Sequence, residues 1–127
     1  MTARDILNRW IQTVNAGHVD EVVSLYADGA SLLPTFSART IRTQADRTRY
    51  FESLGARPNL SVSLHEPTFH EEKLTDTLSA VSGIYAFRFE MDKQLLTFEA
   101  RFTFVIDTAQ AAPILHHHSS QIPRALG

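Results

Sequence analysis

The chain is 127 residues long with 43% hydrophobic and 20% charged residues, which sets a single domain around one hydrophobic core as the expectation. Its formal net charge of −2 supplies no broad attraction for nucleic acid or an anionic membrane surface. With no cysteine, disulfides, thiolate zinc sites and cysteine nucleophiles are excluded together. No apolar run approaches the roughly 18 residues that span a bilayer, and Met1 to Asp5 lacks the apolar stretch of a signal peptide, so a soluble cytoplasmic protein is expected.

Thr2 and Asp5 form a capping-box pattern, and Ile6, Leu7, Trp10, Ile11 and Val14 then recur at helical spacing up to Gly17. The spacing predicts a first helix over residues 3 to 16. Val19, Val22, Val23 and Tyr26 predict a second, shorter helix closed by the turn-prone pair Asp28-Gly29. Ala30 to Leu33 reads as a short strand ended by Pro34. Thr43 with Asp46 opens a third helix to about residue 54, with Tyr50, Phe51 and Leu54 on its inner side and Gly55 as the expected cap.

From Pro58 onward the period changes to two. Leu60, Val62 and Leu64 alternate with polar residues, Pro67 interrupts, Thr68 to Glu71 resumes, and Glu71-Glu72-Lys73 reads as a bend. A long strand over 77 to 91 carries Val81, Tyr85, Phe87 and Phe89 on one face. Asp92-Lys93 reads as a hairpin turn into a second long strand, with Ala100, Phe102, Phe104 and Ile106 on one face and Arg101, Thr103, Val105 and Asp107 on the other. Strands this long are expected to twist and curve. The apolar face with Phe102 and Phe104 predicts self-association into a homodimer or higher oligomer. No repeat or linker interrupts the chain, and Arg124 to Gly127 is expected to fray.

The densest chemistry lies in Ile114 to Ser120. On a strand, His116, His118 and Ser120 face one way and Leu115, His117 and Ser119 the other, so the three histidines cannot share one ion. A metal site would pair His116 and His118 with a third ligand such as Glu99, His65 or His70. Against it stands a hydrogen-bonded layer of imidazoles and hydroxyls, the preferred reading, and no metal or cofactor is expected. Candidates for acid/base work are His117, Asp28, Glu99 and Asp107, none with a partner fixed by spacing. Asp28 also reads as a turn residue and Asp107 as a strand end. Phosphate-binding loops and serine-hydrolase elbows are absent from the sequence.

Leu33-Pro34-Thr35-Phe36-Ser37, Arg42-Thr43, Tyr50-Phe51, Gly83-Ile84-Tyr85-Ala86-Phe87, Ala100 to Val105 and His116 to Ser120 followed by Pro123, taken in order over residues 5 to 123, resemble the nuclear-transport-factor-2-like (SnoaL-like) superfamily. The likeness is to the small bacterial branch similar to the association domain of calcium/calmodulin-dependent protein kinase II. It implies a cone-shaped α+β fold, a curved antiparallel sheet packed against three N-terminal helices, with a deep pocket at the open end. It further implies an oligomerising domain that binds a small anionic organic ligand, with no kinase activity of its own. Arg101 matches a pocket arginine and would anchor the charge, with His117, Ser119, Tyr85 and Tyr26 shaping the pocket. Ser119 stands where the kinase domain has another arginine, and Ala112 where relatives carry a tryptophan. The superfamily also holds ketosteroid-isomerase-like enzymes, cyclases and dehydratases, so the alternative is such an enzyme with His117 as general base and Arg101 orienting an enolate or carboxylate.

Overall fold

The computed structural model describes residues 1–123. The elements in order are α1 (Ala3–Ala16), α2 (Val19–Ser24), β1 (Tyr26–Leu33), α3 (Gln44–Gly55), β2 (Ser61–Leu64), a 3₁₀ turn (Glu66–Thr68), β3 (His70–Lys73), β4 (Leu78–Met91), β5 (Gln94–Asp107) and β6 (Ile114–Gln121). The expected fraying of Arg124 to Gly127 falls outside the described residues. No helix among them is long and apolar enough to cross a membrane.

The capping box closes the start of α1 in both directions. The Thr2 hydroxyl accepts from the Asp5 amide, and the Asp5 carboxylate accepts from the Thr2 amide. Gly17, at φ 72°, ends the helix in the left-handed conformation that glycine adopts without steric cost. Ile6, Leu7, Trp10 and Val14 are buried along one stripe that lies against the sheet. Asn15 ties the end of α1 to β2: its amide nitrogen donates to the Val62 carbonyl at 2.9 Å and its amide oxygen accepts from the Val62 amide at 2.7 Å.

The sheet runs β1-β6-β5-β4-β2, with β3 also paired to β4. It is antiparallel except at one edge, where β1 lies parallel to β6. The β4 and β5 strands pair from Leu78 with Asp107 to Met91 with Gln94 around the expected Asp92-Lys93 turn. Both turn residues have positive φ, 52° and 65°, the combination required by a two-residue hairpin whose twist matches its strands.

Several local expectations are corrected. Tyr26 begins β1 instead of ending the second helix, because α2 stops at Ser24. Asp28 and Gly29 are an outward bulge within β1, whose pairing jumps from Tyr26 opposite Ile114 to Ser31 opposite His116. Glu71 to Lys73 belongs to β3, exposed throughout, and the bend follows it. Gly55 is the last residue of α3, with Ala56 as the cap in right-handed conformation. Leu115 is the extra residue of a second bulge, where Val105 pairs His116 but Ile106 pairs Ile114. That bulge places Leu115 half-buried, off the buried face that His117 and Ser119 share.

Alternation decides what the sheet buries. Tyr85, Phe87, Phe89, Ala100, Phe102, Phe104, Ile106 and His117 all point toward the helices and are closed off from solvent. Phe102 and Phe104 are 2% and 0% exposed, so the face expected to drive self-association is spent on the chain's own core. Rings also occupy much of the concave interior where a deep pocket was expected. Phe36 meets Phe87, Phe89 and Phe98 edge-on, and Trp10 stacks on Tyr85 at 5.7 Å.

Candidate functional site

Three of the expected residues come together. Tyr26 enters from the start of β1, Tyr85 from β4 and His117 from β6, each with its ring on the buried side. His117 pairs across the sheet with Phe104 and Leu32, and its ring stacks on Phe104 at 3.8 Å. The Tyr26 hydroxyl lies 2.7 Å from His117 Nδ1, and the Tyr85 hydroxyl 3.1 Å from Nε2. Trp10 Nε1 donates to the Tyr26 oxygen at 3.0 Å.

Counting donors and acceptors favours one direction for this chain. The Tyr26 oxygen already accepts from Trp10, and His117 Nδ1 is the acceptor its own proton reaches. Nδ1 therefore carries no hydrogen, and Nε2–H donates to Tyr85. The Tyr85 hydroxyl in turn has the hydroxyls of Ser119 and Thr35 as neighbours, and those two bond each other. Burial, assisted by His116 and His118, holds the His117 imidazole well below its ordinary pKa, so it is neutral. Burial pushes both Tyr26 and Tyr85 up, so both phenols are neutral. The group is a satisfied polar chain through the core, with the hydroxyls of Thr35 and Ser119 at its outer end.

Arg101 does not join it. Its side chain is exposed on the opposite face of the sheet, opposite Ser120 and Ile84, because strand parity sends it away from Ala100 and Phe102. The expectation of a pocket-facing Arg101 is corrected accordingly, and Arg101 and His117 share no cavity. His116 and His118 also lie on the outer face, with Glu99, His65 and His70 exposed. No group of three His, Asp or Glu side chains capable of holding an ion forms among the described residues. Asp28 is exposed in the β1 bulge, and the Asp107 carboxylate accepts from the Ala109 amide at 3.0 Å.

A different set of arginines surrounds a cleft. Between the β1–α3 loop and α3 lies an opening of about 290 Å³ lined by Arg39, Arg49 and Arg57. Asp46, Arg49, Ser53 and Arg57 reach it at steps of three, four and four residues, with Tyr50 beside Arg49, one face of α3 and its continuation. Phe36 also lines it, and the Arg57 guanidinium sits 5.2 Å over the Phe89 ring. Arg49 holds Asp46 at 2.6 Å. Among the described residues, the guanidiniums of Arg39 and Arg57 have no hydrogen-bond or ion-pair partner. The Tyr50 oxygen accepts from the Phe36 amide at 3.4 Å, and burial raises this phenol to about 12. It is a neutral donor at the cleft wall.

This basic cleft was not singled out from the sequence. The signal was present in the helical spacing of Arg49, Tyr50, Ser53 and Arg57, but Tyr50 was assigned to the inner side alone. A further buried cation was missed as well. Arg47 is 0% exposed and donates to the carbonyls of Ala30 at 2.8 Å and of Ala27 and Asp28 at 3.2 Å. It collects the oxygens that the β1 bulge leaves without a strand partner.

A family model of the SnoaL-like domain matches residues 3–125. No curated protein matches the chain. Among solved structures, a candidate calcium/calmodulin dependent protein kinase II association domain from Xanthomonas campestris is 25% identical with a TM-score of 0.83, covering 94% of this chain and 84% of that one. A candidate scytalone dehydratase from Novosphingobium aromaticivorans is 6% identical with a TM-score of 0.79, covering 94% and 81%. SalBIII, an epoxide hydrolase/cyclase-like enzyme of pyran ring formation in salinomycin, is 14% identical with a TM-score of 0.72, covering 94% and 89%. The last two likenesses speak for the fold alone.

Proposed function

The chain belongs to the SnoaL-like domain family, and on that premise we propose that it is a small-molecule-binding domain whose ligand is a small organic anion held in the Arg39–Arg49–Arg57 cleft. The observation that carries this reading is the convergence of three guanidiniums against one carboxylate, two of them unpaired among the described residues, in a chain whose net charge is negative. A guanidinium offers a planar fork of donors matched to carboxylate and phosphate, and the neutral Tyr50 hydroxyl adds a donor beside it. The volume, about 290 Å³, sits at the small end of ligand sites.

Calorimetric titration with hexanoate and inorganic phosphate tests the reading. Binding is expected to weaken at least about tenfold in Arg49→Ala/Arg57→Ala and to fall with added salt. Failure of both anions to bind, or binding indifferent to the two substitutions, overturns it.

Self-association is part of the same proposal. Its support is the likeness to the Xanthomonas association domain, since Phe102 and Phe104 are interior. Sedimentation showing only monomer at micromolar concentration would remove it.

A second reading, an isomerase-, cyclase- or dehydratase-like enzyme with His117 as general base, draws on the phenols that orient both ring nitrogens. A substrate would have to displace Tyr26 from Nδ1, the ring nitrogen without a hydrogen, to reach the base. Proton exchange at the α-carbon of a ketone panel, followed by deuterium NMR and lost in His117→Gln, would favour it over simple binding.

A further inference from the structure

A second cleft, of about 330 Å³, adjoins the basic one. It lies between the same β1–α3 loop and the last residues of β6, and Ser37 and Arg39 line both openings. The loop forms a shared wall, held in part by the Arg39 amide donating to the Ser37 hydroxyl at 3.2 Å.

The two clefts differ in chemistry. Arginines dominate the first, whereas the polar lining of the second is Thr35, Thr40, Ser119, Ser120 and Gln121, with Arg39 and His118 as its basic side chains, Leu33, Pro34 and Ala38 as its apolar part, and no carboxylate. Hydroxyls and a primary amide both donate and accept, which suits a ligand that also does both. An apolar tail laid here would strip water from these groups and return no hydrogen bonds. Thr35 and Ser119 bond each other on the inner side of this cleft, next to the Tyr85–His117 pair.

We propose that the ligand is a hydroxylated organic anion, a sugar acid or sugar phosphate, with its charged group among Arg39, Arg49 and Arg57 and its hydroxyls in the adjoining cleft. This rests on the anion-binding reading above and adds the recognition of the ligand's uncharged part. Arg39, at the crest between the clefts, can address both the anion and the first hydroxyl beyond it. A site built from hydrogen-bonding groups discriminates strongly against an analogue that lacks them, because its own polar groups are then desolvated and unpaired.

The experiment compares pairs of probes by calorimetry on the full chain: D-gluconate against hexanoate, and glucose 6-phosphate against inorganic phosphate. The hydroxylated member of each pair is expected to bind at least about tenfold more tightly. Thr40→Val/Ser120→Ala, two exposed positions outside the basic cleft, should remove that advantage while leaving hexanoate and phosphate unchanged. A preference for gluconate or for glucose 6-phosphate identifies the charged group as carboxylate or phosphate, and either supports the proposal. Equal affinity within both pairs, or an advantage that survives the double substitution, overturns it. If hexanoate and phosphate still bind and weaken in Arg49→Ala/Arg57→Ala, the anion site stands and only the hydroxyl recognition is lost. If no probe binds, both readings fall together.

Discussion

At His117 the two ring nitrogens are chemically distinct, and the neighbouring groups dictate which holds the proton. Among the described residues the Tyr26 proton has no hydrogen-bond acceptor other than His117 Nδ1, which makes the Nε2–H tautomer the one that leaves no buried hydrogen unpaired. Nitrogen-15 NMR of the ring is expected to show a neutral imidazole with a hydrogen on Nε2 alone; the Nδ1–H form would break the proposed direction of the whole chain. Strand parity in the sequence separated His117 from His116 and His118, and alternation alone sufficed for that. The same parity put Arg101 opposite the Phe102 face, yet the family resemblance drew it into the pocket; the local rule was the better guide. Arg47 was beyond sequence reasoning, because a charged residue within a helix ordinarily reads as solvated and the carbonyls that recruit it come from a bulge in another element. Replacing it with methionine leaves the oxygens of Ala27, Asp28 and Ala30 without their donor. A loss of about 2–4 kcal/mol is expected in urea unfolding. A loss below about 0.5 kcal/mol, the size of an ordinary surface substitution, would mean that water satisfies those carbonyls equally well.

Elements whose signals are local were legible. The α1 helix carries its own start, stripe and stop in Thr2, Asp5, Trp10 and Gly17, and the hairpin between β4 and β5 is announced by Asp92-Lys93 between alternating strands. Those elements fixed by distant partners were not. The β1 strand extends back to Tyr26 because it pairs in parallel with β6, nearly the whole chain away, and that pairing draws Tyr26 out of the helical pattern. The basic face of α3 was visible as spacing, but only the β1–α3 loop turns it into a cleft. The hairpin yields an element-scale prediction. Lys93 holds φ 65°, a conformation that costs an L-residue roughly 1 kcal/mol and glycine almost nothing. Lys93→Gly is expected to stabilise the protein by about 0.5–1 kcal/mol, after glycine's greater entropy in the unfolded chain is deducted. Thermal unfolding should show a midpoint higher by a few degrees; an unchanged or lower one would indicate that the turn is not under strain.

For the whole molecule, the cone architecture was legible while its filling was not, because the space left inside depends on how Trp10, Phe36, Tyr85, Phe87 and Phe104 interlock across elements far apart in sequence. That filling makes His117, 2% exposed, a report on the integrity of the fold. Its folded-state pKa lies well below the ordinary 6.5, chiefly through burial. The unfolded chain therefore takes up a proton near pH 6.5 that the folded chain refuses until lower pH. His117 imposes no penalty on folding above that point, and stability falls as the solution is acidified toward the folded-state value. The slope is about 1.4 kcal/mol per pH unit at most for one such group. Urea unfolding at pH 7.5, 6.0 and 5.0 should show a progressively lower midpoint, with most of the fall below pH 6.5 and an unchanged dependence on denaturant. His117→Gln removes the titrating group and should flatten the profile between pH 6.5 and 5.0 while lowering stability at every pH. If the wild-type protein instead keeps its midpoint down to pH 5, the imidazole protonates freely inside the fold. The space around it would then be open enough to admit water, and the catalytic reading of His117 would gain at the expense of the sealed core.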